Sequence, residues 1–177
     1  MRKILILMAF FTLVNTYSQS RKNIEDSGDV IQIILPSAAG LSTLIWNDDS
    51  KPIWQFAKAY GLSFLTTYSF KRIINKRRPN GGIHAFPSGH TSTSFTGAAF
   101  LERRFGWKVG IPAYILAGYV GWTRIHAKKH DGWDVFAGAI VGIGSSYLFA
   151  KPYQKRSVDV TFQKNSEGTS VGLLYSF

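Results

Sequence analysis

The sequence predicts an all-α fold, a bundle of about five core helices read as membrane-spanning, followed by a short C-terminal β-hairpin. Five apolar segments predict the bundle: 30–46, 54–70, 90–101, 109–123 and 133–150. Each is rich in Ala, Leu, Ile, Phe and small residues, and none alternates apolar with polar positions as a strand does. The hairpin rests on the opposite pattern. Val158, Val160 and Phe162 alternate with polar residues, as do Val171, Leu173, Tyr175 and Phe177, around the turn signal Asn165-Ser166-Glu167-Gly168. At 177 residues the chain suffices for one domain with a core and hardly for two.

The chain starts with a basic pair, Arg2 and Lys3, then an uncharged apolar run over 4–14, then Thr16, Tyr17 and Ser18. That order reads as an export signal over residues 1–18, cleaved before Gln19, with an uncleaved membrane anchor as the alternative. Residues 19–29 are polar, carry both charge signs and read as a linker. The helical domain then covers 30–156 and the hairpin 157–177. Within the domain, Arg78-Pro79-Asn80-Gly81-Gly82 breaks the chain between the second and third helices and must be loop.

A spanning helix needs about 20 mostly apolar residues, and the charge-free runs here are shorter, so length leaves a soluble helical core open. Tryptophan placement favours the bilayer. Trp46, Trp54, Trp107, Trp122 and Trp133 all fall at segment ends, where the aromatic belts of a membrane would hold them. Gly138 and Gly142 form a small-xxx-small pair that suits close helix packing in lipid or in a tight soluble contact.

The formal charge is +11, which suits nucleic acid, an anionic membrane surface or a phosphorylated substrate. Many of the basic residues fall in two short stretches, 71–78 and 124–129, each beside a histidine-bearing segment. That clustering is not a nucleic-acid stripe, so no nucleic-acid partner is expected. The chain has no cysteine, which excludes a disulfide framework, a zinc-thiolate site and a lipoprotein acceptor thiol.

Three stretches carry candidate chemistry. His130 and Asp134 are four apart at the start of the last apolar segment, so on a helix they share a face. A carboxylate there fixes the tautomer of the imidazole and raises the basicity of its other nitrogen, which prepares a nucleophile or base. Ser88 and Gly89 open the third helix, where free backbone N–H groups make an anion site and Gly89 lets the backbone come close. His90 sits at that rim, placed to donate a proton. Lys71 and Arg78 are seven apart, about two helical turns, and Arg124 adds a cation of the kind that grips phosphoryl oxygens bidentately. Lys76, Arg77, Lys128 and Lys129 read as charges that merely flank the helices, and His84 and His126 as loop residues without a role. In an up-and-down bundle the end of helix two, the start of helix three, the end of helix four and the start of helix five share one face, so the three stretches converge.

The spacing Lys71-x6-Arg78-Pro79, then Pro87-Ser88-Gly89-His90, then Arg124-x5-His130-x3-Asp134 resembles the signature of the type 2 phosphatidic acid phosphatases. That group shares its fold with bacterial class A acid phosphatases and vanadium haloperoxidases. The resemblance covers 71–134 and departs at Thr123, where the family usually has serine. It implies that Lys71, Arg78 and Arg124 hold the phosphoryl oxygens, with Ser88 and the Gly89 N–H completing the cradle. It further implies that His130 attacks phosphorus, oriented by Asp134, and that His90 protonates the leaving oxygen. No metal and no cofactor are implied. The implied partners are a phosphorylated lipid and a membrane, with the oligomeric state left open.

With the signal cleaved, helix one runs inward and helix two returns, which puts the site on the outer, periplasmic face of an inner membrane in a multi-pass protein. An uncleaved anchor gives the same face. Arg103, Arg104 and Lys108 would then lie in a cytoplasmic turn. The competing readings are a soluble periplasmic acid phosphatase, a vanadium haloperoxidase with His130 on vanadate, and a non-enzymatic phosphate-binding membrane protein.

Overall fold

The computed structural model describes residues 21–47, 51–153, 157–165 and 168–176. Five helices follow in order: α1 (Arg21–Ile45), α2 (Pro52–Ile74), α3 (Gly89–Phe105), α4 (Trp107–His126) and α5 (Gly132–Phe149). The signal over 1–18 lies outside the described residues. Residues 21–29, read as a linker, are helical. Their side chains find partners on other helices, Ser27 Oγ on Tyr119 OH at 2.9 Å for example. Tertiary pairing, invisible to periodicity, therefore extends α1 upstream of its apolar run. Beyond the bundle, β1 (Ser157–Asn165) pairs antiparallel with β2 (Gly168–Ser176), from Ser157 opposite Ser176 to Asn165 opposite Gly168.

Helix α3 is the axis of the bundle and packs against all four other helices. Its buried residues include Thr91, Ser92, Ser94, Thr96, Gly97, Ala98 and Ala99, side chains short enough to admit neighbours on every side. Helix α5 uses Gly138 and Gly142 to lie on the α3 backbone: a Cβ at Gly138 would stand 2.6 Å from Ser88 O, and one at Gly142 2.8 Å from the Thr96 nitrogen. Hydroxyls join the helices at depth. Thr67 Oγ1 donates to Ser92 Oγ at 2.9 Å, Thr96 Oγ1 to Ser63 Oγ at 2.8 Å, and Ser146 Oγ to the Thr96 carbonyl at 2.8 Å.

The distribution of side chains is inverted relative to a water-soluble bundle. Small hydroxyls and alanines fill the interior, while Ile33, Leu44, Phe64, Ile73, Ile115 and Leu148 stand more than half exposed. All five tryptophans are exposed as well. Among the described residues one helix, Lys22–Ile45, is long and apolar enough to cross a membrane by length and composition. Arg104, expected in a turn, is buried at the end of α3, with its guanidinium on the Trp46 carbonyl. The connection from α3 to α4 is Gly106 alone, so no longer turn exists to carry it.

Candidate active site

The starts of α3 and α5 and the ends of α2 and α4 meet at one end of the bundle. Asp131 caps α5. Its Oδ1 accepts the Asp134 N–H at 3.0 Å, and Asp134 Oδ2 accepts the Asp131 N–H at 3.1 Å, a reciprocal capping box closed by two aspartates. Asp134 is fully buried, and its other oxygen takes Lys76 Nζ at 2.8 Å. Lys76 also reaches Asp131; burial pulls its pKa down, but these two carboxylates outweigh that and hold it above the usual value.

His130 lies just outside this helix. The shared helix face expected for His130 and Asp134 is therefore not how they meet. The chain leaves α4 through a turn in which His130 N–H donates to the Arg124 carbonyl at 3.3 Å. That turn sets the ring over the capping box, with Nδ1 3.5 Å from Asp134 Oδ2. This exceeds hydrogen-bond length, and among the described residues the buried Nδ1 has no other partner. Burial first, then the Lys71 and Arg78 charges, push the imidazole down to about 4 against the opposing pull of Asp134. The ring is thus neutral at neutral pH. With Nδ1–H turned to Asp134, Nε2 carries the free lone pair.

Ser88 is the N-cap of α3. Its Oγ accepts from the Thr91 hydroxyl at 2.9 Å, and its N–H donates to the Asp134 carbonyl at 2.9 Å, tying the starts of α3 and α5 together. Among the described residues no acceptor meets the Gly89 and His90 N–H groups, which remain available at the helix N-terminus. Lys71 arrives from α2, its Cε 3.7 Å from where a Gly89 Cβ would stand. It is steadied by His84, whose carbonyl accepts Lys71 Nζ at 2.9 Å and whose Nδ1 lies 2.8 Å from the Lys71 carbonyl. A cavity of about 160 Å³ lies between Lys71, Gly89, Thr67 and Ser92.

Arg78 is brought in by a loop and not by the continued helix that its spacing from Lys71 suggested. Helix α2 stops at Asn75, in the left-handed region at φ 41°. Arg78 then closes a turn of its own, with its N–H on the Gly82 carbonyl at 2.7 Å. Its buried Nε has no partner among the described residues.

The remaining site residues cluster with α1. Arg124 is completely buried. Its Nε donates to Thr123 Oγ1 at 3.1 Å, its NH2 to the Glu25 carbonyl at 2.7 Å, and its NH1 to Asp29 Oδ1 at 2.7 Å. The same Asp29 oxygen is 3.0 Å from His90 Nε2. Lys129 pairs with Glu25. A Cβ at Gly28 would overlap Thr123 Oγ1, so glycine is what lets α1 lie this close.

Two regrouped sets result: Lys71, Arg78, Ser88, Gly89, His130 and Asp134 on one side, and His90 with Arg124 on the other. Sequence reasoning missed Asp29 and Glu25, and it read Lys76 and Lys129 as mere flanking charges. The one sequence signal for the missed acids was their cluster just upstream of an apolar helix.

Residues 80–157 match the family model described as PAP2 superfamily. A lipid A 4'-phosphatase of Helicobacter pylori is 26% identical over 145 residues, covering 75% of this chain and 72% of that protein. A lipid A 1-phosphatase of Porphyromonas gingivalis is 36% identical over 80 residues, covering 43% of this chain but 17% of that protein. Among solved structures, Aquifex aeolicus LpxE superposes with a TM-score of 0.64 at 21% identity, covering 80% of this chain and 92% of its own.

Proposed function

We propose that the chain is a phosphatase of the PAP2 superfamily, whose model matches residues 80–157, and that it hydrolyses a lipid phosphate or pyrophosphate through a phosphohistidine at the periplasmic face of a membrane. The observation that carries this reading is a buried, neutral His130 backed by Asp134 and facing Lys71 and Arg78 across the start of α3. In the proposed reaction His130 Nε2 attacks phosphorus and the P–O bond to the leaving group breaks. His90 gives its proton to the departing oxygen. Water then attacks the phosphohistidine, returning a proton to His90 and releasing phosphate. Lys71, Arg78 and Arg124, with the N–H groups at the start of α3, would neutralise the oxygens of the transferring group. Positioning and charge do most of the catalysis in such transfers, and the reaction is proposed to need no metal.

Two features support a lipid substrate. The inverted distribution of side chains suits a multi-pass bundle whose outer face meets acyl chains. An open apolar groove of about 720 Å³ runs between α1 and α2, past Ile33, Leu41, Leu44 and Phe56. It shares Gln32, Phe64 and Thr93 with the cavity at Lys71 and Gly89, so a chain lying there would leave its head group at the site. The names of the relatives make lipid A phosphates the first candidates.

The test is phosphate release by protein purified in mild detergent with EDTA present. The panel holds lipid A, phosphatidate, phosphatidylglycerol phosphate, a polyprenyl pyrophosphate and p-nitrophenyl phosphate. Turnover of lipids and not of the soluble ester is expected. His130→Ala should lower it by at least about 10³-fold while the protein still elutes as folded. Wild-type rates in that variant would remove His130 as nucleophile.

A further inference from the structure

Every nitrogen of the buried Arg124 guanidinium donates to Thr123 or to α1. One oxygen, Asp29 Oδ1, is the meeting point of Arg124 NH1 at 2.7 Å and His90 Nε2 at 3.0 Å, groups that come from two different helices. The contact is built and not incidental. Ser27 binds Tyr119, Glu25 binds Lys129, the Glu25 carbonyl takes Arg124 NH2, and Gly28 removes the side chain that would hold α1 away. A cation taken out of water needs a counter-charge, and Asp29 supplies it.

We infer that Asp29 is an internal anion standing where a phosphoryl oxygen of the substrate binds, so that substrate enters by displacing it from Arg124 and His90. This rests on the proposed roles of those two residues. Two anions sharing one cationic point repel, so Asp29 and a phosphoryl group exclude one another there. The partner able to leave is Asp29, whose side chain is 42% exposed while that of Arg124 is 0% exposed. Displacing it loosens the first turns of α1. The substrate's grip on Arg124 is therefore weakened by what it costs to release Asp29, and the residue sets affinity for the phosphoryl group.

Asp29→Asn keeps an oxygen for Arg124 and removes the charge. Titration calorimetry in detergent with orthophosphate should give a Kd about tenfold lower in the variant, and orthophosphate should inhibit hydrolysis at correspondingly lower concentration. Unchanged or weaker phosphate affinity in folded Asp29→Asn overturns the inference. If Asp29 merely positioned His90, kcat would fall without that gain. Should the variant fail to fold, hydrogen exchange of wild-type residues 21–30 decides: faster exchange under saturating orthophosphate is expected, and unchanged or slower exchange overturns the idea. Tighter phosphate binding by a protein that hydrolyses no lipid phosphate would sink the proposed function and leave Asp29 in place. Hydrolysis by wild type with no tightening in the variant would do the reverse.

Discussion

The two sides of the site solve the same electrostatic problem differently. Around His130 the half-buried cations are not all committed: Arg78 Nε has no partner among the described residues, while Lys76 is held by the Asp131 and Asp134 carboxylates and Lys71 by the His84 carbonyl. Around Arg124 every guanidinium nitrogen has a partner, because Thr123 takes one and α1 delivers a carbonyl and a carboxylate, with a further carboxylate for Lys129. The first side is poised, its net positive charge borne by groups aimed at one imidazole. The second is closed, and opens only at the expense of contacts to α1. In the proposed reaction the poised side would aim the nucleophile and take part of the phosphoryl charge, while the closed side would add Arg124 only when α1 lets go of it.

Removing the support of the poised side should produce the largest effect. Lys76→Met takes from Asp134 Oδ1 the ammonium bound to it and frees that carboxylate to swing from His130. A fall in kcat on the order of 10²-fold is expected, with little change in KM, read from steady-state phosphate release. An equal loss through KM would mean that Lys76 belongs to substrate binding, and the division between the two sides would blur.

That lysine also shows what a sequence can and cannot disclose. Ser88, Gly89, His130 and Asp134 were legible because each sits within a few residues of a helix start, where capping and anion chemistry are local. Lys76 and Asp29 were not, because their partners lie 58 and 95 residues away. A polar residue near a helix end looks like solvated charge until the fold supplies the other half. Arg78 was placed near the right neighbours by the wrong route, since helical spacing cannot report that Asn75 ends the helix. The five helices were legible from apolar runs, and the upstream turns of α1 were hidden because polar contacts and not burial hold them.

A smaller effect tests the closed side. Gly28→Ala forces a methyl into Thr123 and should cost about 2 kcal/mol of stability by overpacking, read as a lower Tm in detergent. A variant as stable as wild type would mean that α1 rests on α4 more loosely than its contacts indicate.

A last effect, smaller per pH unit than the cost of that methyl, concerns protons. His130 titrates at about 4 when folded and at the usual 6.5 when unfolded. Between those values the unfolded chain binds a proton that the folded chain does not, so stability falls as the pH is lowered through that window. One proton accounts for at most about 1.4 kcal/mol per pH unit. Denaturation midpoints measured between pH 7 and 4 should show that slope in wild type, about flattened by one proton's worth in His130→Ala. An identical slope in both would mean that His130 takes up its proton while folded.

The capping box at the start of α5 has one more consequence. Asp134 uses one carboxylate oxygen both to begin a helix and to face the imidazole. Fraying of a single turn would therefore misaim His130 while the remaining helices stayed packed around α3. Heat inactivation would then begin below the temperature at which the bundle melts, and the gap between the two would measure how firmly four residues, from Asp131 to Asp134, hold their shape.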